Sequence, residues 1–215
     1  MNNYMFYLVI TTSINNRFGI IDYEKRKTQY LTAISETLQN LPAEVIPLIV
    51  ENNGYRSTYL DNFSTKEGKP VKVIYTDNNS YIFKNKGINE LLDIKEVIRK
   101  ESIKESDIII KLTGRYTVKS DAFFETLSTD SSKYDGWVKY YNIATQKFDK
   151  YDTFTGCFAL RCIFFVLWNP MTIESYKSVE AAFARYSKVC TARICEMDHL
   201  SVECCFADDF RIMTV

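Results

Sequence analysis

The fold class is decided by the stretch DIIIKLTGRY, residues 107–116. Residues 108–112 are apolar almost throughout, and such a run is typical of a central strand that is covered on both faces. A polar segment, Thr113-Gly114-Arg115-Tyr116, follows at the predicted carboxyl end of this strand. We therefore expect a buried strand that ends in polar side chains.

Upstream of this stretch, short β-rich runs alternate with helical ones. The predicted strands are Tyr7–Ile10, Leu48–Val50 and Val71–Tyr75, and the predicted helices cover about Tyr23–Asn40, Ser57–Phe63 and Lys86–Lys100. We expect Pro47 to limit how far the second strand extends backwards, because proline donates no hydrogen bond to a ladder. The alternation predicts an α/β fold in which helices flank a central, mostly parallel mixed sheet.

Downstream of the stretch, the pattern is less regular. The predicted strands are Trp137–Tyr141, Thr155–Leu160 and Arg211–Thr214, with a predicted helix at Val179–Tyr186. No linker or low-complexity segment separates the two halves, and 215 residues are a typical length for one domain. We therefore expect a single domain over residues 1–215.

Composition and spacing argue against several classes of function. The 27 basic and 27 acidic residues balance, and no segment concentrates the basic ones, which argues against nucleic acid as a partner. The seven glycines are never closer than 14 positions, so neither G-x-G-x-x-G nor the P-loop is present. His199 is the only histidine, which excludes a His-rich metal site.

The sequence contains no recognisable targeting or membrane segment. The apolar run at residues 4–10 lacks the basic lead-in and the cleavage site of a signal peptide, and no stretch approaches 18 apolar residues. All six cysteines fall in the last 60 residues without a C-x-x-C pair, which favours reduced, mostly buried thiols over disulfides. We expect a cytoplasmic protein without a membrane span.

Polar side chains follow each of the first four predicted strands. These segments are Thr11-Thr12-Ser13, Glu51-Asn52-Asn53, Thr76-Asp77-Asn78-Asn79 and Thr113-Gly114-Arg115. In open α/β sheets, ligands bind outside the carboxyl ends of the strands. Such side chains suit a base and a ribose, while Lys86, Arg115 and the helix start near Gly87 suit phosphates. The sequence predicts a nucleotide site here, and the alternative is that these residues are local caps and turns.

The order of these motifs resembles that of the GT-A glycosyltransferases, nucleotide-sugar-dependent enzymes with a Rossmann-like core. LIVENNG, residues 48–54, is similar to the family's second strand, whose terminal acidic residue contacts the base. Asn85-Lys86-Gly87 is similar to the family's Asn-x-Gly segment, and residues 155–161 resemble its acceptor-side strand. One departure is clear: no Asp-x-Asp occurs in the chain, and Arg115 stands where a metal-binding aspartate is expected.

A closer resemblance is to the small glycosyltransferase domains of large algal DNA viruses, in particular the chlorella-virus capsid-glycan transferases. It is carried by ITTSINN at residues 10–16, by DIIIKLTGRY and by ECCFADD at residues 203–209. This resemblance implies a UDP-sugar donor such as UDP-rhamnose or UDP-glucose, and a divalent cation, Mn²⁺ or Mg²⁺. It also implies a glycan or glycoprotein acceptor, such as a capsid-protein glycan, and a location in the host-cell cytoplasm.

The resemblance further implies a nucleotide-sugar-binding half, residues 1–116, and an acceptor and catalytic half, residues 117–215. The implied donor-binding residues are Thr11, Thr12, Glu51, Arg56, Asp77, Asn79, Lys86, Gly87, Thr113 and Gly114.

Five further residues are candidates for the chemistry. Arg115 can neutralise the leaving diphosphate, and Glu180, placed like the acidic residue of the family's acceptor helix, can face an acceptor hydroxyl. Asp208 can serve as a base, a stabiliser or a metal ligand, with Asp209 and His199 as further metal ligands. The alternatives are a solvated turn for the Asp-Asp pair, an exposed helical glutamate and a structural histidine.

Two rival functions remain open at this point. A nucleotidyltransferase uses a related α/β core, but it normally carries a glycine- and arginine-rich loop after the first strand, and residues 11–18 contain no glycine. A binding module that has kept the fold and lost catalysis is consistent with the absence of Asp-x-Asp.

Overall fold

The computed structural model describes residues 4–15, 22–54, 56–80, 83, 85–175, 178–206 and 211–215. The strands are β1 Phe6–Thr12, β2 Val45–Glu51, β3 Lys72–Tyr75, β4 Ile108–Thr113, β5 Thr117–Val118, β6 Gly136–Val138, β7 Cys157–Arg161, β8 Ile194–Glu196, β9 Val202–Cys205 and β10 Ile212–Thr214. The helices are α1 Tyr23–Gln39, α2 Lys86–Lys100, α3 Ala122–Asp130, α4 Cys162–Leu167 and α5 Val179–Val189. Three short 3₁₀ turns span Tyr59–Asn62, Asn78–Ser80 and Pro170–Ser175.

Seven of the strands form the central sheet, in the order β3-β2-β1-β4-β7-β6-β8. Among these seven, β7 alone runs against the others, because it pairs antiparallel with both β4 and β6 while the remaining pairs are parallel. The predicted α/β fold with a mostly parallel sheet is therefore confirmed. Strand order reverses at β1, which lies between β2 and β4, and such a reversal opens a crevice at the carboxyl ends of the strands.

Helices cover both faces of this sheet, and the alternation of side chains along β1 supplies both cores. Leu8 and Ile10 pack into one apolar cluster with residues of α1 and α3, whereas Val9 packs into a second cluster with residues of α2, α4 and α5. β5, β9 and β10 form a separate antiparallel sheet of three strands in the order β10-β9-β5. The central sheet is thus buried between helical layers, as its aliphatic composition requires.

The expectation for Pro47 was wrong, because β2 begins at Val45 and includes the proline. Pro47 lies opposite Leu8 of β1, but β3 pairs with β2 only from Leu48 onwards. On its β3 side, β2 is therefore an edge at this position, and proline is tolerated at sheet edges.

Two predicted elements also differ from the structure, one in each half of the chain. β6 ends at Val138, because the chain then pairs with the segment before β7: Phe154 N donates to the Lys139 carbonyl at 2.9 Å, and Tyr141 N donates to the Asp152 carbonyl at 3.2 Å. We call residues 139–156, which connect β6 to β7, the β6–β7 loop. The predicted helix at residues 57–63 is a 3₁₀ turn over Tyr59–Asn62.

Two further sequence expectations concern the cysteines and membrane spans. All six cysteines are unpaired thiols, and Cys157, Cys162 and Cys204 are buried. In the part of the chain that the structure describes, no helix has the length and apolar character needed to cross a membrane.

Candidate functional site

A cleft of about 650 Å³ opens at the carboxyl edge of the central sheet, beside the reversal of strand order. Its floor is formed where β4 ends and β7 begins, and its walls are the N-termini of α2 and α5 and the β6–β7 loop. This position is where open α/β sheets bind their ligands.

A buried ammonium group lies at the floor of the cleft. The Lys111 side chain, on β4, is only 3% exposed, and its Nζ donates to Thr113 Oγ1 and to the Thr155 carbonyl oxygen, each at 2.8 Å. The same Nζ lies 3.2 Å from Glu90 Oε2, and the other carboxylate oxygen of Glu90 accepts from Thr11 Oγ1 at 3.0 Å. One ion pair thus joins β1, α2, β4 and the start of β7, and its hydrogen bonds compensate for the burial of charge.

The N-termini of α2 and α5 meet at one wall of the cleft. Each is capped by a side chain: Asn85 Oδ1 accepts from Gly87 N at 2.9 Å, and Ser178 Oγ accepts from Ala181 N at 3.1 Å. A Cβ atom on Gly87 would lie 2.3 Å from Val179 Cβ, so the absence of a side chain allows the two helix starts to touch. Both positive dipole ends therefore lie beside the same cavity and favour an anion there.

Two further cationic side chains, Lys86 and Arg115, line the cleft on this side. Arg115 Nη1 donates to the Cys205 carbonyl oxygen at 2.7 Å, and its guanidinium carbon lies 5.8 Å from the Tyr116 ring centroid. This contact anchors the end of β9 next to the cleft. Together with the helix N-termini, the two cations give the α2–β4 side a charge suited to phosphate oxygens.

Two carboxylates, those of Asp152 and Glu180, also line the cleft. Asp152 Oδ2 accepts from Asn142 Nδ2 at 2.9 Å, and Glu180 Oε1 accepts from Thr155 Oγ1 at 3.1 Å. Partial burial raises the pKa of Asp152, and the negative charge of Glu180 adds to this rise. The two carboxylates are therefore placed to accept hydrogen bonds or a proton from hydroxyl groups.

A stacked aromatic pair also lines the cleft. Tyr116 and Phe154 stack with ring centroids 5.8 Å apart and an angle of 15° between the rings. Gly156 makes this stacking possible, since a Cβ atom there would lie 2.2 Å from Tyr116 Cε2. Burial raises the pKa of Tyr116, so its hydroxyl stays protonated at neutral pH.

The ends of β1 and β2 are joined by a buried carboxylate. Glu51 is fully buried, and its carboxylate accepts from Thr12 Oγ1 at 2.7 Å, from Ile14 N at 3.1 Å and from Asn53 N at 3.1 Å. Asn79 Nδ2 donates to Asn53 Oδ1 at 2.8 Å, which adds the loop after β3 to this network. Glu51 thus fixes the shape of these loops and does not line the cleft.

A second buried carboxylate, Asp93 on α2, holds the loops after β2 and β3. Its Oδ1 accepts from Thr76 Oγ1 and from Asn78 Nδ2, each at 2.7 Å, and its Oδ2 accepts from Asn52 Nδ2 at 2.9 Å. Burial raises the pKa of Asp93 to about 7, and the charge of Glu90 contributes to this rise. The loops beside the cleft are therefore tied to α2 by a group that titrates near neutral pH.

The structure brings six of the fifteen predicted site residues to the cleft or its floor. Lys86, Gly87, Thr113, Arg115 and Glu180 line it, and Thr11 reaches its floor through Glu90. Of the others, Thr12 and Glu51 bond to each other, Asn79 bonds to Asn53, and Gly114 packs against Thr12. Arg56 and Asp77 are exposed and do not line this cleft.

Of the three remaining predicted residues, the structure describes only His199. Asp208 and Asp209 fall outside the described residues. His199 is exposed in the connection between β8 and β9, and it is not among the residues that line the cleft.

Four residues of the site and its supporting network were not predicted from the sequence. Lys111 and Asp93 carry a detectable signal, because each is a charge within an otherwise apolar pattern, in a buried strand and on the buried face of α2, respectively. Glu90 lies one turn from the predicted helix start, and Asp152 lies in an irregular loop. For these two, only the tertiary structure reveals the role.

The described residues do not fit a divalent-cation site. Such a site needs several oxygen or nitrogen ligands that converge on one point. Within residues 4–206 and 211–215, leaving out the gaps in the described ranges, no three His, Cys, Asp or Glu side chains come together. No step proposed below therefore passes through a cation.

Comparison with solved structures shows what the fold is similar to. The chain superposes on a protein from Desulfovibrio desulfuricans, provisionally described as a nucleotide-diphospho-sugar transferase, with a TM-score of 0.54 and 7% identity over 89% of this chain and 78% of that one. It superposes on S. aureus TarS in complex with UDP with a TM-score of 0.53 and 15% identity, covering 90% of this chain and 58% of TarS. It also superposes on the glycosyltransferase GlyE of Streptococcus pneumoniae with a TM-score of 0.51 and 8% identity, covering 91% of this chain and 46% of GlyE.

The protein therefore has the fold of the nucleotide-diphospho-sugar transferases of GT-A type. No protein-family model matches the chain, and no curated protein sequence does. The chain also spans only about half the length of TarS and GlyE. Identities this low establish the fold alone, so the function is argued from the cleft.

Proposed function

We propose that the protein is a glycosyltransferase that moves a sugar from a UDP-sugar donor to a glycan acceptor. The observation that carries this proposal is that one cleft holds both kinds of charge: two cations and two helix N-termini, together with the carboxylates of Asp152 and Glu180. Glycosyl transfer needs both, because negative charge builds on the leaving diphosphate while the acceptor hydroxyl loses a proton.

On the donor side, we assign the diphosphate to the wall formed by α2 and the end of β4. Lys86 and Arg115 supply positive charge, and the starts of α2 and α5 add their dipoles. The aromatic pair Tyr116–Phe154 offers an apolar surface in the same cleft. Fixed cations of this kind stabilise the leaving group without reorganisation during the reaction.

On the acceptor side, we assign Glu180 as the base, with Asp152 as its neighbour. The acceptor oxygen gives its proton to the carboxylate and forms a bond to the anomeric carbon. The bond from that carbon to the phosphate oxygen breaks, and its electron pair stays on UDP. The raised pKa of Asp152 makes its carboxylate a better proton acceptor than an exposed aspartate.

The finer expectations belong to the same proposal. A hexose or deoxyhexose such as glucose or rhamnose, a viral capsid-protein glycan as acceptor and a cytoplasmic site of action rest on the resemblance to the algal-virus transferases. A role for Mn²⁺ or Mg²⁺, with Asp208 as a catalytic residue, rests on the same resemblance.

The proposal is tested by nucleotide binding and turnover. Isothermal titration should show UDP binding more tightly than CDP or GDP, and proton NMR of UDP-glucose and UDP-rhamnose should show release of the sugar. Arg115→Met should weaken UDP binding by about 10- to 150-fold, because a charge-assisted hydrogen bond is worth roughly 1.5–3 kcal/mol. The matched control is Arg99→Met, at the opposite end of α2, where the side chain is 69% exposed.

The rival functions give different results in the same assays. Selective UDP binding without sugar release from any donor tested would indicate a binding module. Release of pyrophosphate from a nucleoside triphosphate and a sugar phosphate would indicate a nucleotidyltransferase. If no uridine nucleotide binds at millimolar concentration, the proposed function is wrong.

A further inference from the structure

The buried ion pair at the cleft floor has a polar neighbour whose hydrogen is not used within the described part of the chain. Lys111 Nζ donates to Thr113 Oγ1 at 2.8 Å, so this oxygen acts as an acceptor. Thr113 is half-buried and lines the cleft, and its hydroxyl donates no hydrogen bond to another described residue. Because a hydroxyl that accepts from an ammonium turns its hydrogen away from it, the Thr113 O–H is directed to the cleft side.

Lys111 itself has no donor left for a ligand. Its three N–H groups are matched by three acceptors: the Thr113 hydroxyl, the Thr155 carbonyl and the Glu90 carboxylate. The ammonium is also almost completely covered, with 3% of its side chain exposed. A direct bond from Lys111 to a bound phosphate therefore requires one of these contacts to break.

From these contacts we infer that Lys111 is a positioning residue that makes the Thr113 hydroxyl a charge-assisted donor to the diphosphate of the donor nucleotide. This inference rests on the proposed function and deepens it. Lys111 orients the hydroxyl and polarises it, and the hydroxyl delivers the hydrogen bond to a phosphate oxygen. A hydrogen-bond chain that begins at a buried cation is stronger than an isolated hydroxyl contact, because each member polarises the next.

The surroundings of the ion pair explain why this arrangement is stable without a ligand. Glu90 balances the charge of Lys111 and is itself held by Thr11, so the floor is neutral before the nucleotide arrives. Thr113 N donates to the Gly156 carbonyl at 2.8 Å, which fixes the backbone that carries the hydroxyl. The donor is therefore preorganised at the junction of β4 and the start of β7, next to Arg115.

The test is a double-mutant cycle read by isothermal titration with two probes, inorganic pyrophosphate and UDP. Thr113→Val should weaken binding of both probes by about tenfold, and Lys111→Met should weaken it by about tenfold or more. In the Lys111→Met background, Thr113→Val should add less than about threefold, because the hydroxyl is no longer oriented. If the affinity of the double variant falls by the product of the two single-variant losses, the inference is wrong. Thr126→Val, at a threonine of α3 outside the cleft, is the control and should leave binding unchanged.

A second comparison keeps the test decisive if Lys111→Met does not fold. Thr113→Ser keeps the hydroxyl and should bind pyrophosphate within about threefold of the wild type, whereas Thr113→Val should not. Equal affinities for the two variants would overturn the inference. Wild-type protein that binds UDP, with affinity unchanged in every variant, would remove the inference and leave the proposed function standing. Binding of pyrophosphate but not of UDP would support the anion site and contradict the UDP donor, while binding of neither probe would remove both proposals.

Discussion

Replacing Asp93 by asparagine is expected to stabilise the protein at neutral and alkaline pH and to flatten the dependence of its stability on pH. Asp93 is 1% exposed, and burial raises the pKa of its carboxyl group from 3.8 to about 7. Between these two values the folded protein binds a proton that the unfolded chain does not. The contribution of this group to the free energy of unfolding is therefore fully present below about pH 4 and is lost as the pH rises through about 7.

The size of the effect follows from the same values. A carboxyl pKa that rises from 3.8 to about 7 on folding corresponds to about 4 kcal/mol at 1.36 kcal/mol for each pKa unit. The free energy of unfolding can therefore rise by at most this amount in Asp93→Asn at pH 8. We expect a rise of about 1–4 kcal/mol at that pH and almost none near pH 4.

The hydrogen bonds at the site allow the substitution. The amide oxygen of the new residue can keep the bonds from Thr76 and Asn78, and its amide nitrogen then faces Asn52. Asn52 Oδ1 is buried and accepts no hydrogen bond from the described residues, so a flip of this amide presents the missing acceptor. The flip replaces one unpaired buried acceptor, Asn52 Oδ1, by an unpaired amide donor, so we expect part of the full gain to be lost.

Urea denaturation followed by tryptophan fluorescence at pH 4.5, 6 and 8 measures the effect. The wild type should lose free energy of unfolding relative to Asp93→Asn as the pH rises. Asp121→Asn is the control, because that side chain is exposed and makes no hydrogen bond at its helix N-terminus. If the difference between wild type and Asp93→Asn is the same at all three pH values, the reasoning about this carboxyl group is refuted.

Three further predictions follow from individual contacts. Gly87→Ala should lower the free energy of unfolding by about 1–3 kcal/mol, because its Cβ would lie 2.3 Å from Val179 Cβ; in thermal unfolding, Val179→Gly in the same chain should restore part of the loss. Hydrogen bonds from Arg193 lower the pKa of Asp135 to about 2, so its stabilisation is present above about pH 4 and lost as the pH falls to 2. Asp135→Asn should therefore cost about 1 kcal/mol in urea titrations at pH 7, after allowance for solvent screening, and nothing at pH 2. Glu180→Gln should lower sugar transfer, measured by NMR, by about 100-fold or more while UDP affinity changes less than about threefold; equal loss of both would contradict its role as base.

The sequence predicts most of the first half of the fold, because strands and helices there have strong and different periodicities. The limits of α2, Lys86–Lys100, agree with the predicted helix, since Asn85 caps its start and apolar residues recur along one face. α4, by contrast, is a six-residue apolar run, CIFFVL, and periodicity does not distinguish so short a run from a buried strand. α3 was missed because its N-terminal Asp121 makes no side-chain cap and its first turn contains two adjacent phenylalanines.

The residues of the candidate site also fall into those that could be predicted from the sequence and those that could not. Lys86, Thr113 and Arg115 could be predicted because they follow strands or begin a helix, and the rule for ligand sites in open sheets applies to these positions. Asp152 could not, because its place depends on a loop whose conformation is fixed by bonds such as that from Asn142 Nδ2.

The direction of β7 explains why the residues that precede this strand were not predicted by the rule that ligands bind at the carboxyl ends of strands. β7 is antiparallel to β4, with Cys157 opposite Leu112, so the residues that precede β7 arrive at the same edge as the residues that follow β4. Thr155 and Gly156 therefore meet Thr113 although about forty positions separate them in the chain, and the Thr155 carbonyl accepts from Lys111. The carboxylate of Glu180 enters the cleft with this segment, because it accepts a hydrogen bond from Thr155. A single reversed strand thus brings acidic side chains into the same cleft as the cations, and the transfer of a sugar from a diphosphate to a hydroxyl requires both.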